Sequence, residues 1–325
     1  MRRLLLRRLA QAAVTVLLVA TITFALARLA PGDPFTGEAR SGVTEAIRAQ
    51  RRAHHGLDRP IAEQYARWLW NVARGDFGYS LSLNVPVRDA IAEALPNTLV
   101  LLGVALAGMF GMGIFLGALQ AARRGTWVDR AGSAVSLFFY SVPDFWLALM
   151  AVLVFAQWLR VLPVGGVVSA DVYPYLTSGW ARLADRLRHL VLPAGTLVLL
   201  GAGGVARFQR AALLDVAHED WLRTARAKGL GERAVLLRHA LRNALLPVIT
   251  VFGLSLPALV GGATFIEYVF AWPGMGRLAV EAVGRRDYDL VTACAVLGGA
   301  LVAAGSLLAD LLHAVADPRL REGGA

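Results

Sequence analysis

The residues best suited to engage another molecule lie together between Glu219 and Pro247, EDWLRTARAKGLGERAVLLRHALRNALLP. Their spacing predicts two short helices meeting at a turn. Glu219 and Asp220 stand where negative charge favours a helix start, Arg226 and Lys228 near its end, and Gly229 where a left-handed closing residue belongs. Trp221, Leu222 and Ala225 share one side, flanked by Arg223 and Arg226, so the helix is amphipathic with a basic rim. The chemistry of such a face is recognition: apolar anchors for a pocket and charges that set register. A second helix is expected from Glu232, running into the apolar run from Ala244.

Groups for bond chemistry are scarce. Lys228 is the only lysine and is followed by Gly229, so the sequence holds no Gly-Lys-Ser/Thr phosphate loop. Cys294 is the only cysteine, which excludes an intrachain disulfide and a cysteine metal cluster. His54-His55 has no third ligand nearby and reads as solvated. There is no His-Glu-x-x-His, and neither a Ser/His nor a paired-Asp arrangement suggests a membrane protease. An enzyme, a metal site and a cofactor in this chain are therefore not expected. Asp144, with Phe145 beside it, lies well inside an apolar run, where an acid is costly unless it faces water or a partner. It is expected either to line a pore or to cap the half-helix beyond Pro143. Glu267, a further gate candidate, and Asp310 sit near the ends of apolar runs and could reach water.

The elements carrying these groups are membrane spans. Of 325 residues 57% are hydrophobic and 17% charged, with a mean hydropathy of +0.54, too apolar for a soluble chain of this size. Apolar runs at about 9–29, 98–121, 131–159, 190–206, 244–266 and 290–315 give six expected transmembrane helices in an all-α integral membrane protein. The basic head MRRLLLRR could open a cleaved signal, but the run after it is long enough to span, and an uncleaved first helix (residues 1–30) is expected. Basic residues number seventeen in the head, 122–130, 207–243 and the tail, against seven at 160–189 and 269–287. By the positive-inside rule both termini and the 207–243 loop face the cytoplasm. The formal net charge of +10 is thereby explained without nucleic acid. A DNA-binding helix-turn-helix at 219–247 is excluded by the long apolar runs on both sides, which leave no soluble core.

Residues 31–95 carry eight arginines against eight acids and read as an external region. Within it Ile61, Tyr65, Trp68, Leu69 and Val72 fall at helical spacing, predicting an amphipathic helix that rests on the membrane surface or packs over the spans. The core is expected over 96–315, with a cytoplasmic tail at 316–325. Ala107/Gly111, Gly113/Gly117 and Gly201, Gly203 and Gly204 predict close helix approach. Pro143, Pro193, Pro247 and Pro257 predict bends. Arg182, Arg186 and Arg188 suit an interfacial helix with Leu183 and Leu187.

The run TARAKGL…LRHALRNALLP resembles the EAA loop of bacterial ATP-binding-cassette (ABC) importer permeases, in the form of the dipeptide/oligopeptide permease family. Against the generic EAA pattern only Ala225, Gly229 and Leu241 match. Further blocks in order are PGDP, GLDRPIAEQYARWLWNVARGDFGYSL, PNTL, SVPDFWLALMAVLVFA, LPVGG, FIEYVFAWPGMGRLAVEAVGRRDYDLV and DPRLR, so the resemblance covers the whole chain. Asp144 departs from the family, which usually has a small polar residue there.

The resemblance implies a type I ABC-importer transmembrane fold in the bacterial inner membrane, surrounded by lipid, with a long external loop after the first helix. It implies a second permease, two cytoplasmic ATPases holding ATP and magnesium, and an external substrate-binding protein as partners. The 215–229 helix would be the coupling helix docking on an ATPase. Trp272, Arg277, Arg285 and Arg286 would lie toward the binding protein, with the turn Trp272–Gly276 tucked back between spans. Members carry dipeptides, oligopeptides, nickel complexes, glutathione or oligosaccharides. A secondary transporter would instead show midplane ionisable pairs, of which Asp144 is the only hint.

Overall fold

The computed structural model describes residues 2–29, 59–227, 229, 231, 235 and 240–316. The expectations for residues 31–34, His54-His55, a helix start at Glu232 and the tail from 317 fall outside them. Among the described residues the regular structure is helical, apart from a hairpin of two two-residue strands. The order is α1 (Arg2–Leu29), α2 (Ile61–Ala73), β1 (Tyr79–Ser80), β2 (Val85–Pro86), α3 (Val87–Ala122), α4 (Trp127–Ser141), α5 (Asp144–Ala151), α6 (Gly179–Val216), α7 (Asp220–Ala227), α8 (Leu241–Val269), α9 (Met275–Gly284) and α10 (Tyr288–Ala316). α1, α3, α6 and α10 are each long and apolar enough to cross a membrane; α4 with α5 and the bent α8 raise the number to six if each bent pair is one span.

α3 and α6 form the central pair, held close by glycine. A Cβ built on Gly117 would fall 2.5 Å from the Ala206 carbonyl oxygen, and one on Gly113 2.5 Å from Val205 Cβ. Only hydrogen fits at such distances, and in lipid it is close packing that holds helices together. Gly203 does the same against α4, where a Cβ would fall 2.5 Å from the Ser136 carbonyl. Ala107 and Gly111, expected to serve likewise, are exposed, and space around Gly111 is open. They lie on the outward side of α3, on a different face from the stripe that Gly113 and Gly117 define.

The expected span at 131–159 is not one helix. It breaks between Ser141 and Asp144, and the two parts meet at 103°. Pro143 has no N–H to continue the ladder and forces the preceding Val142 extended (ψ 135°). Beyond Ala151 the helix widens into a π-helical stretch, Val152–Trp158. Pro193, by contrast, stays inside continuous α6. That helix starts at Gly179, so the arginine-bearing segment is the first turns of α6 and not a separate interfacial helix; Arg182 and Arg186 lie over the Tyr173 ring.

α1 runs along α10 in the opposite direction, since Arg8 pairs with Asp310 (3.0 Å) near the end of α10. Asp310 thus has a cation partner. α2 forms as expected, but it stacks Tyr65 and Trp68 on Phe24 of α1, with ring centroids 5.3 and 5.2 Å apart, so it packs over a span.

Candidate functional site

Three places hold the residues singled out in the sequence: the elbow between α6 and α8, the lobe at the opposite end, and a cavity between them.

At the elbow, α6 extends to Val216 and α7 begins at Asp220, so the expected 215–229 helix is shorter than anticipated and preceded by a turn. Gly229 has φ +81°, the left-handed backbone that its position demanded. Leu222 is 1% exposed and packs with Ala212, Leu213, Val235, Ala240 and Ala244, while Trp221 is 38% exposed. The two anchors are therefore divided: Leu222 fixes α7 to its own chain, and Trp221 is left outward. Glu219 is exposed, and Asp220 opens the helix. The side chains of Arg223, Ala225 and Arg226 lie outside the described residues, although all three positions are within α7. Close to this end, Arg210 on α6 grips Asp129 on α4 through two parallel bonds, Nε–Oδ1 2.8 Å and Nη2–Oδ2 2.9 Å, and the Gly125 N–H donates to the same carboxylate (3.0 Å). The sequence reading missed this pair, because Asp129 and Arg210 are 81 residues apart and nothing local links them.

At the other end Glu267 neither reaches water nor faces a pore. It is 0% exposed. The Thr98 hydroxyl donates to Oε1 (2.6 Å), and the Gly276 and Arg277 N–H groups donate to Oε2 (2.7 and 3.1 Å). The carboxylate thus satisfies the first turn of α9, where orphan N–H groups and the helix dipole favour an anion. Trp272 is 2% exposed, and its indole N–H donates to the Asn97 carbonyl (3.0 Å), so it is buried in the lobe and not available to an external protein. α9 does tuck inward: Met275 and Ala282 pack with Val87, Ile91, Leu290 and Cys294. Arg277 is held by Glu281 (2.7 Å) and by the Ala271 carbonyl (2.6 Å). Arg285 is exposed, 3.7 Å from Glu281. Arg286 is exposed at φ +56°, where it closes α9 with its own N–H on the Val283 carbonyl and the Asp287 N–H on that of Ala282. Asp287, which the sequence reading passed over, accepts from Ser80 Oγ (2.6 Å), the Ser82 N–H (2.9 Å) and the Leu290 N–H (3.3 Å). An acid directly ahead of an apolar run is a helix-start signal that could have found it.

Midway, a cavity of about 300 Å³ opens between α4, α5, α6 and α8, lined among others by Tyr140, Asp144, Gly201, Gly204, Ser255 and Gly262. Pro143 occupies the N-cap position of α5 and Asp144 is its first residue, exposed, so the capping expectation fails. Phe145 is 54% exposed and is not among the lining residues. The arrangement offers an open, mostly apolar cavity with one carboxylate in its lining. Among the described residues no group of three or more His, Cys, Asp or Glu could hold a metal.

Two family profiles match the chain: "Binding-prot-dependent transport system membrane comp, N-term" over residues 1–102 and "Binding-protein-dependent transport system inner membrane component" over 113–322. A Brucella abortus permease protein, assigned provisionally to peptide transport, is 42% identical, the match covering 99% of each chain. The oligopeptide transport system permease protein AppB of Bacillus subtilis is 38% identical over 93% of this chain and 94% of its own. The dipeptide transport system permease protein DppB of Escherichia coli is 36% identical over 99% of each. With its apolar helices and these matches from end to end, this chain belongs to the family of binding-protein-dependent transport system inner-membrane components, the permeases of ABC importers.

Proposed function

We propose that the chain is one permease subunit of an importer for di- and oligopeptides and forms half of the translocation path. The observation that carries this reading is the elbow. α7 hangs between the ends of two long helices, is pinned to them through Leu222, and leaves Trp221 for a partner. A partner that pushes α7 therefore moves α6 and α8 together. In this reading two cytoplasmic ATPases, which bind ATP and magnesium, grip α7. A second permease completes the path, and an external protein delivers cargo to the lobe end, where Arg285 and Arg286 are exposed. Closure of the ATPases rocks the helices and opens the path to alternate sides. Peptide as cargo is taken from the names of the relatives. Both termini on the ATPase side is supported by the arginine count and by Arg8 and Asp310 meeting at the elbow end.

The test is reconstitution with the ATPases and binding protein, reading ATP-driven uptake of a labelled dipeptide. Arg226→Glu and Gly229→Val are expected to leave ATP hydrolysis in place and abolish uptake. Normal uptake in both would refute the coupling role. A thiol at position 221 (Trp221→Cys) should react with an impermeant maleimide only from the ATPase side.

A further inference from the structure

We infer that Asp144 selects cargo by pairing with its ammonium group inside the membrane, an inference that rests on reading the chain as a peptide-importer subunit. Asp144 is the only charged residue among those lining the central cavity. Among the described residues its carboxylate takes part in no hydrogen bond and no ion pair. Arg207 on α6 does not neutralise it: its guanidinium lies over the Tyr140 ring, 4.4 Å from the centroid. The break at Pro143 delivers the carboxylate to the cavity, because a straight helix through 131–159 would carry no free end there. α5 begins at Asp144, where the helix dipole favours negative charge without supplying a side-chain donor.

The facing wall is cleared for an occupant. A Cβ on Gly262 would lie 3.6 Å from Asp144 Oδ2, so α8 presents bare backbone to the carboxylate. A Cβ built on Gly204 would meet nothing nearer than the Tyr140 ring at 3.9 Å. The volume of about 300 Å³ sits at the lower end of small-molecule sites, which suits a short peptide. Asp144 is exposed on the open side of the cavity with no protein cation beside it, and an ammonium group is the charge-assisted hydrogen-bond complement of a free carboxylate. Every unblocked peptide carries one at its N-terminus, and lysine adds another; both sources share the chemistry.

The experiment uses the full complex in liposomes with saturating binding protein, comparing wild type, Asp144→Asn and Asp144→Glu. Cargoes are Ala-Ala, N-acetyl-Ala-Ala and N-acetyl-Ala-Lys. Asp144→Asn should lower initial uptake of Ala-Ala about tenfold or more, the loss of one charge-assisted hydrogen bond. It should leave N-acetyl-Ala-Ala unchanged, and Asp144→Glu should recover most of the Ala-Ala rate. An equal loss for N-acetyl-Ala-Lys extends recognition to the side-chain ammonium; no loss there confines it to the N-terminus. Equal Ala-Ala uptake by wild type and Asp144→Asn overturns the inference and leaves the import reading standing, as does a matching loss for N-acetyl-Ala-Ala. Absence of ATP-driven uptake of any peptide by wild type overturns both. On the unsubstituted complex, Ala-Ala and not N-acetyl-Ala-Ala should protect Asp144 from carbodiimide; lack of protection overturns the inference independently of any variant.

Discussion

Glu267 organises the lobe because its two oxygens take up donors from two helices at once: Thr98 on α3, and the Gly276 and Arg277 N–H groups on α9. Thr98 in turn accepts from the Met275 N–H (2.8 Å), so the link continues through its hydroxyl. Glu267→Ala removes one acceptor group and strands three donors, the buried Thr98 hydroxyl and the partly buried Gly276 and Arg277 N–H groups, each carrying a desolvation penalty. A loss of about 3 kcal/mol or more is expected, read as a lower melting temperature of the detergent-purified chain. Gly276 forbids repair by a larger neighbour, since a Cβ there would lie 2.6 Å from Thr264 Cα. Ala271, by contrast, has room to improve. It holds φ +48° to close α8, with the Trp272 N–H on the Glu267 carbonyl (2.8 Å), and Ala271→Gly should stabilise the chain by about 1 kcal/mol in the same assay. At this scale the sequence was legible where a local rule applies. Gly229 announces a left-handed backbone by its position after a basic turn. Glu267 announces nothing, because its meaning comes from Thr98, 169 residues away, and Trp272 looked like a recognition aromatic until its indole was found on Asn97.

For the elements, hydropathy located the apolar segments, and it could do so because lipid requires long helices whose backbone is satisfied internally. It could not separate one span from a broken pair: 131–159 reads as a single apolar run, and Pro143 with the acid after it marks the 103° break. It set the elbow apart from the spans but could not assign its anchors, because Leu222 and Trp221 are indistinguishable in an amphipathic pattern. The division between them is open to measurement. Leu222→Ala empties a buried site shared with Leu213 and Val235, and should loosen α7 by about 2–4 kcal/mol. ATP hydrolysis by the assembled complex should then persist while peptide uptake falls several-fold; unchanged uptake would mean that α7 is held by its partner alone. Arg210→Lys tests the neighbouring tie between α6 and α4. Lysine keeps the charge but loses the two-bond grip on Asp129, so about 1–2 kcal/mol of stability should go, the guanidinium being partly open to solvent. Equal melting temperatures for wild type and Arg210→Lys would show that charge alone suffices there.

For the whole molecule, what matters is that one end is locked and the middle is not. The lobe is tied by Glu267, Asp287 and Trp272, whereas the cavity between α4, α5, α6 and α8 sits beside a broken helix and is lined mostly by apolar side chains, with three glycines among them. A push at α7 should therefore be absorbed at the break and at the 56° bend of α8 rather than in the lobe. Ser255 on α8 reports on this movement, since it lines the cavity within one turn of that bend. The native Cys294 is buried at 6% exposure, so Ser255→Cys can be labelled selectively without removing it. In the nucleotide-free complex an impermeant maleimide should reach position 255 from the elbow side. Trapping the ATPases closed should slow that reaction about tenfold or more and admit reagent from the lobe side instead. The same thiol paired with a lobe reporter such as Arg285→Cys, expected to label alike in both states, separates rocking around the cavity from loosening of the entire chain. Equal labelling at 255 in both states would show that the path does not alternate at the level of Asp144, and the push from the elbow would then have to be relieved outside the bundle's centre.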